Sequence, residues 1–104
     1  MSRSRVCAFV DSVSRLLWWL FASSAGARTR ARVLAAIHLE PQNAKQLARE
    51  LQLDYKTIRH HLGVLSENHV IESSGPNYGR VYSVAHHIEE RWPEFERIAA
   101  RHRK

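Results

Sequence analysis

The sequence predicts a mainly α-helical fold with one small β-hairpin, and three observations support that prediction. Apolar residues recur at helical spacing in several separate segments of the 104-residue chain. Two short β-prone runs flank the turn-forming segment Gly75-Pro-Asn-Tyr-Gly79. Residues that commonly cap helices, Asn43 and Asp54, precede two of the helical segments. A chain of this length favours a single domain.

The first predicted helix extends from Val6 to Phe21 and carries an apolar stripe with coiled-coil-like spacing. Leu16 to Phe21 are all large and apolar, so they cover every side of the helix, and such a helix must be enclosed. Gly26 is a helix-stop signal. We therefore predict an N-terminal dimerisation helix within residues 1–26, which pairs together with the last helix. The predicted interface consists of Val6, Val10, Val13, Leu17, Trp18, Leu20, Phe21, Trp92 and Phe95.

The same apolar run also resembles a secretory signal or a membrane anchor, because Ala25-Gly-Ala27 follows it. A membrane-spanning helix needs about 20 apolar residues, whereas Leu16 to Ala22 supplies seven. Asp11 and a helical stripe precede the run, which is unlike the short basic start of a signal peptide. We therefore favour a soluble helix and expect no stable membrane association.

Three further helices and a hairpin follow. Thr29 is expected to cap the second helix, which ends at Pro41, and Asn43 and Asp54 cap the third and fourth. Two short helices joined by a tight turn and followed by a hairpin predict a winged helix-turn-helix over residues 27–84. Residues 85–104 are predicted to contain a last helix, and Pro93 is well suited to its first position because proline lacks the backbone N–H that is unpaired there.

The third and fourth helices and the wing carry motifs that point to a known family. Leu-Ala-x-x-Leu in the third helix, His-Leu-x-x-Leu in the fourth and Tyr-Gly-Arg-Val-Tyr in the wing resemble ArsR-type winged helix-turn-helix regulators, particularly archaeal-looking ones. The resemblance covers about residues 27–84, and it implies a dimeric transcription regulator whose fourth helix reads the DNA major groove. Metal-sensing members carry Cys-x-Cys where this chain has Asn43-Ala44-Lys45, so the thiolate sensor is missing.

The chain contains 16 Lys and Arg residues and 10 Asp and Glu residues, which gives a net charge of +6. This positive charge favours an acidic partner. Basic side chains cluster in the first turns of two predicted helices, where the helix dipole disfavours positive charge. The dipole and the basic side chains attract the same anions, so these clusters favour phosphate contacts. Polar residues of the fourth helix point away from its apolar stripe. The wing arginine suits a minor groove, although an ordinary polar turn explains the wing equally well. The predicted DNA-contacting residues are Arg28, Arg30, Arg32, Asn43, Tyr55, Lys56, Thr57, Arg59, His60, Asn77, Tyr78 and Arg80.

Other kinds of site have little support in the sequence. A Gly-rich phosphate loop, H-E-x-x-H and G-x-S-x-G are all missing, so we do not expect an enzyme. Cys7 is the single cysteine, which excludes an intrachain disulfide and fits a cytoplasmic protein. We predict no metal or cofactor, because His86, His87 and His102 offer no clear ligand pair. His61 is interpreted as a hydrogen-bonded packing residue.

The leading hypothesis is a homodimeric, sequence-specific regulator that binds double-stranded DNA. Two alternatives remain open at this point. One is a winged helix used only for protein contacts, and the other is a membrane-associated protein held by the Trp-rich first helix.

Overall fold

The computed structural model describes residues 11–102, which form helices and one small antiparallel sheet. In chain order the elements are α1 (Ser12–Trp18), a π-helical turn (Trp19–Ser23), α2 (Ala27–Leu39), β1 (Gln42–Asn43), α3 (Ala44–Leu51), α4 (Tyr55–Glu67), β2 (Ile71–Ser74), β3 (Val81–Val84), α5 (His86–Glu89), α6 (Trp92–Ala99) and a 3-10 turn (Ala100–His102). The predicted mainly helical fold with a hairpin is confirmed.

Helix α1 begins at Ser12 because Asp11 caps it. The Asp11 backbone is extended (φ −72°, ψ 174°), and its carboxylate accepts a hydrogen bond from the Ser14 backbone N–H at 2.9 Å. A continuous helix from Val6 to Phe21 is therefore wrong, since the extended residue interrupts it. Val6 and Val10 lie outside the described residues.

Asp11 also connects the start of α1 to the last helix. Its Oδ2 atom lies 2.6 Å from Nη2 of Arg91, whose Nη1 atom lies 3.2 Å from Oε1 of Glu94. The hydrogen bond from Arg91, followed by the one from the Ser14 backbone, lowers the pKa of Asp11 to about 2. The carboxylate is thus ionised over the whole physiological range.

Helices α2, α3 and α4 form the helix-turn-helix unit. Asn43 and Asp54 cap α3 and α4 as predicted, and Asn43 exchanges two 2.8 Å hydrogen bonds with Gln46 in a capping box. Helix α2 starts two residues before the predicted cap Thr29, because Gly26 adopts a left-handed conformation (φ +81°) and turns the chain there. Only three residues separate α3 from α4.

The sheet has three strands in the order β1-β3-β2, all antiparallel. The predicted hairpin is β2 and β3, with Ile71 opposite Val84 and Ser74 opposite Val81. Strand β1 was not predicted, because two residues are too short to show an alternating pattern. It pairs with β3 immediately before α3 and so fixes the start of α3 against the wing.

Helices α1 and α6 complete a single hydrophobic core around the helix-turn-helix unit. Leu17, Leu20 and Phe21 are fully buried within one chain, and Phe21 meets Phe95 edge to face with ring centroids 4.9 Å apart. The prediction that these four residues form a dimer interface is therefore wrong. Helices α2 and α6 cover the sides of the first helix that a partner copy was expected to cover.

Two tryptophans of the first helical segment remain exposed. Trp18 and Trp19 are 44% and 50% exposed, and the guanidinium carbon of Arg101 lies 4.7 Å from the Trp18 ring centroid. Val13 is half-buried, as is Trp92, whose ring stacks on that of His38. Among the described residues, no helix is both long and apolar enough to cross a membrane.

Candidate nucleic-acid interface

Helix α4 separates its residues into a buried and an exposed face. Ile58, His61, Leu62 and Leu65 are buried against the core. Tyr55, Lys56, Arg59 and His60 are exposed, as the sequence predicts, and Thr57 is half-buried at the edge. The exposed face therefore carries hydrogen-bond donors and two formal positive charges along its first two turns.

One carboxylate, that of Asp54, lies at the start of α4 and caps the helix. Oδ2 of Asp54 accepts hydrogen bonds from the backbone N–H groups of Lys56 and Thr57 at 3.0 and 3.4 Å. One oxygen of the carboxylate therefore accepts hydrogen bonds from the first backbone N–H groups of α4 and stabilises the start of the helix.

The wing is shaped by two glycines and one arginine. Gly75 and Gly79 have positive φ angles of 96° and 80°, which glycine adopts without strain. Nη1 of Arg80 donates to Oγ of Ser73, and Nη2 donates to Oδ1 of Asn77, both at 3.1 Å. The guanidinium therefore bridges strand β2 and the turn, while Tyr78 at the tip is 80% exposed.

One concave surface of about 340 Å³ lies between the wing, the start of α3 and the start of α4. It brings together six of the predicted DNA-contacting residues: Asn43, Tyr55, Arg59, Asn77, Tyr78 and Arg80. We call it the wing groove. Its lining holds three cationic side chains, Lys45, Arg59 and Arg80, and no carboxylate, so it is suited to a polyanion.

Lys45 is a site residue that the sequence reasoning missed. It lies in the first turn of α3, two residues after the cap Asn43. Lys56 has the same position relative to Asp54 and was predicted because a base at a helix start is electrostatically unfavourable. The same argument applied to α3 would have found Lys45.

The predicted phosphate contact by Arg30 is wrong, because this side chain is only 3% exposed. Its Nη1 donates to the carbonyl of Leu20 and to Oγ of Ser24, both at 2.9 Å, and its Nη2 donates to the carbonyl of Ala25 at 3.1 Å. Those groups end the first helical segment, whose last carbonyls have no partner within the helix. Burial lowers the pKa of Arg30. Arg30 is therefore a structural cap.

Arg28 and Arg32 are exposed, but they do not line the wing groove. Nη2 of Arg32 donates to the carbonyl of Leu51 at 3.1 Å, at the end of α3. Both arginines line a second cavity, between α2 and α6. The basic cluster at the start of α2 is thus split between the interior and a different face of the molecule.

His61 packs inside the protein against α2, but without the hydrogen bond that the sequence reasoning expected. Its Nδ1 atom is buried with no partner among residues 11–102, and a Cβ atom added to Gly26 would come within 2.9 Å of its ring. Burial, followed by the charges of Arg30 and His60, lowers the pKa of His61 to about 4. The ring is therefore neutral near pH 7, while His60 faces solvent.

The described part of the chain contains no group of three or more His, Cys, Asp or Glu residues that are arranged to hold a metal ion. The candidate site consists of the wing groove and the exposed face of α4.

Three helices with a tight turn between the last two, followed by a paired hairpin, define the fold as a winged helix-turn-helix. Residues 26–74 match the family described as a helix-turn-helix domain. No curated protein matches the chain significantly in sequence.

Solved structures with this fold include the following two proteins. A predicted DNA-binding transcriptional regulator from E. coli is 18% identical, with a TM-score of 0.65 over 94% of each chain. AbfR of Staphylococcus epidermidis is 15% identical, with a TM-score of 0.60 over 93% of this chain and 71% of its own.

Proposed function

We propose that this protein is a transcription regulator that binds double-stranded DNA in a sequence-specific manner, with α4 in the major groove and the wing close to a minor groove. The observation that supports this proposal best is the wing groove, where cations from three separate elements converge without a carboxylate. The similarity in fold to a predicted DNA-binding transcriptional regulator from E. coli supports the same function.

The exposed face of α4 supplies the groups for reading bases. Arg59 is the residue we assign to base recognition, because a guanidinium can donate to O6 and N7 of guanine together. Arg80 and Lys45 flank it and suit the phosphates on either side. Asn43 uses its Oδ1 atom to cap α3, so its Nδ2 donors remain available for a phosphate.

We further propose that the protein acts as a homodimer, so that two α4 helices read half-sites about one DNA turn apart. Its interface is the exposed part of the first helical segment, where Trp18 and Trp19 lie next to each other. Paired large aromatics that are about half exposed are typical of interaction surfaces. Sedimentation tests this directly, since a Trp18→Ser/Trp19→Ser variant should remain folded and become monomeric. A wild-type protein that is monomeric at micromolar concentration would contradict the dimer.

The experiment that tests DNA binding is a titration of duplexes at several salt concentrations. A dimer that contacts about eight phosphates should show log K falling with log salt at a slope near −7, because each contact releases counterions. Lys45→Ala and Arg80→Ala should weaken binding to all duplexes and make the slope shallower. Arg97→Ala, an exposed arginine of α6 outside the wing groove, is the matched control.

Selection of bound duplexes from a random pool tests specificity. Arg59→Ala should relax discrimination at one position by about 1–3 kcal/mol, whereas Arg97→Ala should leave the selected sequence unchanged. An identical preference in wild type and Arg59→Ala would show that Arg59 does not read a base. Absence of duplex binding at low salt would instead favour a winged helix used only for protein contacts.

A further inference from the structure

A second cavity of about 320 Å³ lies between α2 and α6, and we call it the interhelical cavity. Its walls are apolar and come from both helices: Ala31, Ala35, Trp92, Phe95 and Ala99. It shares no lining residue with the wing groove. Small-molecule sites typically have volumes of about 300–1,000 Å³, so this cavity accommodates a small ligand only.

Two guanidinium groups stand at the rim of the interhelical cavity. Arg28 and Arg32 are four residues apart on α2, so they lie on the same side of the helix. Arg28 makes no side-chain hydrogen bond or ion pair within residues 11–102, and Arg32 makes a single hydrogen bond, to the Leu51 carbonyl. Within the described residues, most of their donor groups therefore have no protein partner and can bind an anion.

The opposite rim carries one acid and one histidine. Glu96 is exposed on α6, and Nε2 of His102 is already engaged with the Phe21 carbonyl at 2.8 Å. The rim thus has two formal positive charges and one negative charge. A ligand with a single carboxylate gains from the arginines, whereas a second carboxylate would face Glu96.

The aromatic walls determine the rest of the ligand. Trp92 and Phe95 have ring centroids 4.4 Å apart and a mutual tilt of 33°, and they present an apolar surface to the cavity. Alanines on both helices leave space beside those rings, which a flat ring can fill. Guanidinium groups pair with carboxylates through paired hydrogen bonds, which give orientation as well as affinity.

We propose that the interhelical cavity binds a small aromatic monocarboxylate, with its carboxylate on Arg28 and Arg32 and its ring against Trp92 and Phe95. This site is separate from the wing groove, and its occupation does not depend on whether the protein binds DNA. It also assigns a role to two arginines that lie outside the wing groove.

The test uses 1-naphthoate as the probe and 1-naphthamide, which has the same ring and no charge, as its control. Calorimetry on the full chain should show naphthoate binding at least tenfold more tightly, because hydrogen bonds to charged groups are the stronger ones. A Trp18→Phe/Trp19→Phe variant retains Trp92 as its single tryptophan. Its fluorescence should change on addition of naphthoate, which locates the ligand.

Two substitutions test the residues. Arg28→Gln removes the charge from an exposed side chain and should weaken naphthoate binding tenfold or more, while naphthamide binding stays the same. Arg49→Gln, an exposed arginine of α3 outside the cavity, should change neither. Ala35→Leu fills the cavity and should abolish binding of both compounds.

Three results would overturn the proposal. The first is equal affinity for naphthoate and naphthamide, and the second is no binding of naphthoate up to about 1 mM. The third is a change in sedimented mass, rather than in naphthoate affinity, on substitution of Arg28 or Ala35. That result would mean that a second copy of the chain covers this face.

Discussion

Arg30 offers the sharpest test of how this fold is held together, because it is a fully buried cation without an acidic partner among residues 11–102. Arg30→Ala leaves the carbonyls of Leu20 and Ala25 without their donor. An orphaned buried group costs about 1–3 kcal/mol, and this applies to the buried Leu20 carbonyl, whereas the partly buried Ala25 carbonyl regains a hydrogen bond from water. The space left by the buried arginine side chain adds a loss of packing to this cost. The substitution also removes the desolvation penalty of the buried charge, which offsets part of this loss. We expect a net loss of about 3 kcal/mol in the free energy of unfolding.

Thermal and urea denaturation measure this loss. One kcal/mol shifts the melting temperature of a domain of this size by about 4–8 °C, so Arg30→Ala should melt more than about 10 °C below wild type. Arg28→Ala, two residues away and exposed, is the matched control and should stay within about 0.5 kcal/mol. Arg30→Lys should fall between them, because one ammonium group cannot reproduce a fork that reaches three acceptors.

The same variant separates a structural role from a phosphate contact. At a temperature where Arg30→Ala is folded, its affinity for duplex and its salt slope should match wild type, unlike those of Arg80→Ala. A stability loss below about 1 kcal/mol would refute the capping argument. A shallower salt slope in the folded variant would return Arg30 to the DNA surface.

Three further predictions concern the two glycines Gly26 and Gly63, the buried His61 and the buried Leu17. Gly26→Ala should lower the free energy of unfolding by about 2 kcal/mol, because φ is +81° and the new Cβ meets the His61 ring at 2.9 Å. Gly63→Ala, in a helix with open space around this position, should raise it by about 0.5–1 kcal/mol. Urea midpoints that shift in the same direction for both variants would contradict these predictions. The folded-state pKa of His61 is lowered to about 4, so the unfolded chain takes up the proton first and stability should fall as pH drops from about 6.5 towards 4. A His61→Asn variant with the same pH dependence of its unfolding free energy as wild type would rule out this explanation. Leu17→Asp should unfold the chain rather than dissociate a dimer, because it buries a carboxylate in the core; a native circular dichroism spectrum would disprove it.

The helix-turn-helix and the hairpin are predictable from the sequence because their signals are local. Asn43 and Asp54 cap their helices through groups two or three residues away, so the neighbouring sequence alone contains the whole interaction. The turn at Gly75–Gly79 needs positive φ angles that its own glycines supply. The exposed face of α4, including Arg59, follows from the spacing of its apolar residues.

The environment of the first helical segment and of Arg30 was decided by the tertiary structure. The sequence around Leu17 and Phe21 is equally consistent with a dimer interface and with a core. Apolar periodicity indicates that one face of the helix is buried, but it does not identify the element that covers this face. Helix α6, more than 70 residues further along the chain, provides that cover. The sequence likewise suggests that Arg30 is a phosphate ligand. In the folded chain, the Leu20 carbonyl, ten residues earlier, instead lies 2.9 Å from its guanidinium. Composition and spacing therefore determined which residues are cationic or apolar, and long-range packing determined which of them reach solvent.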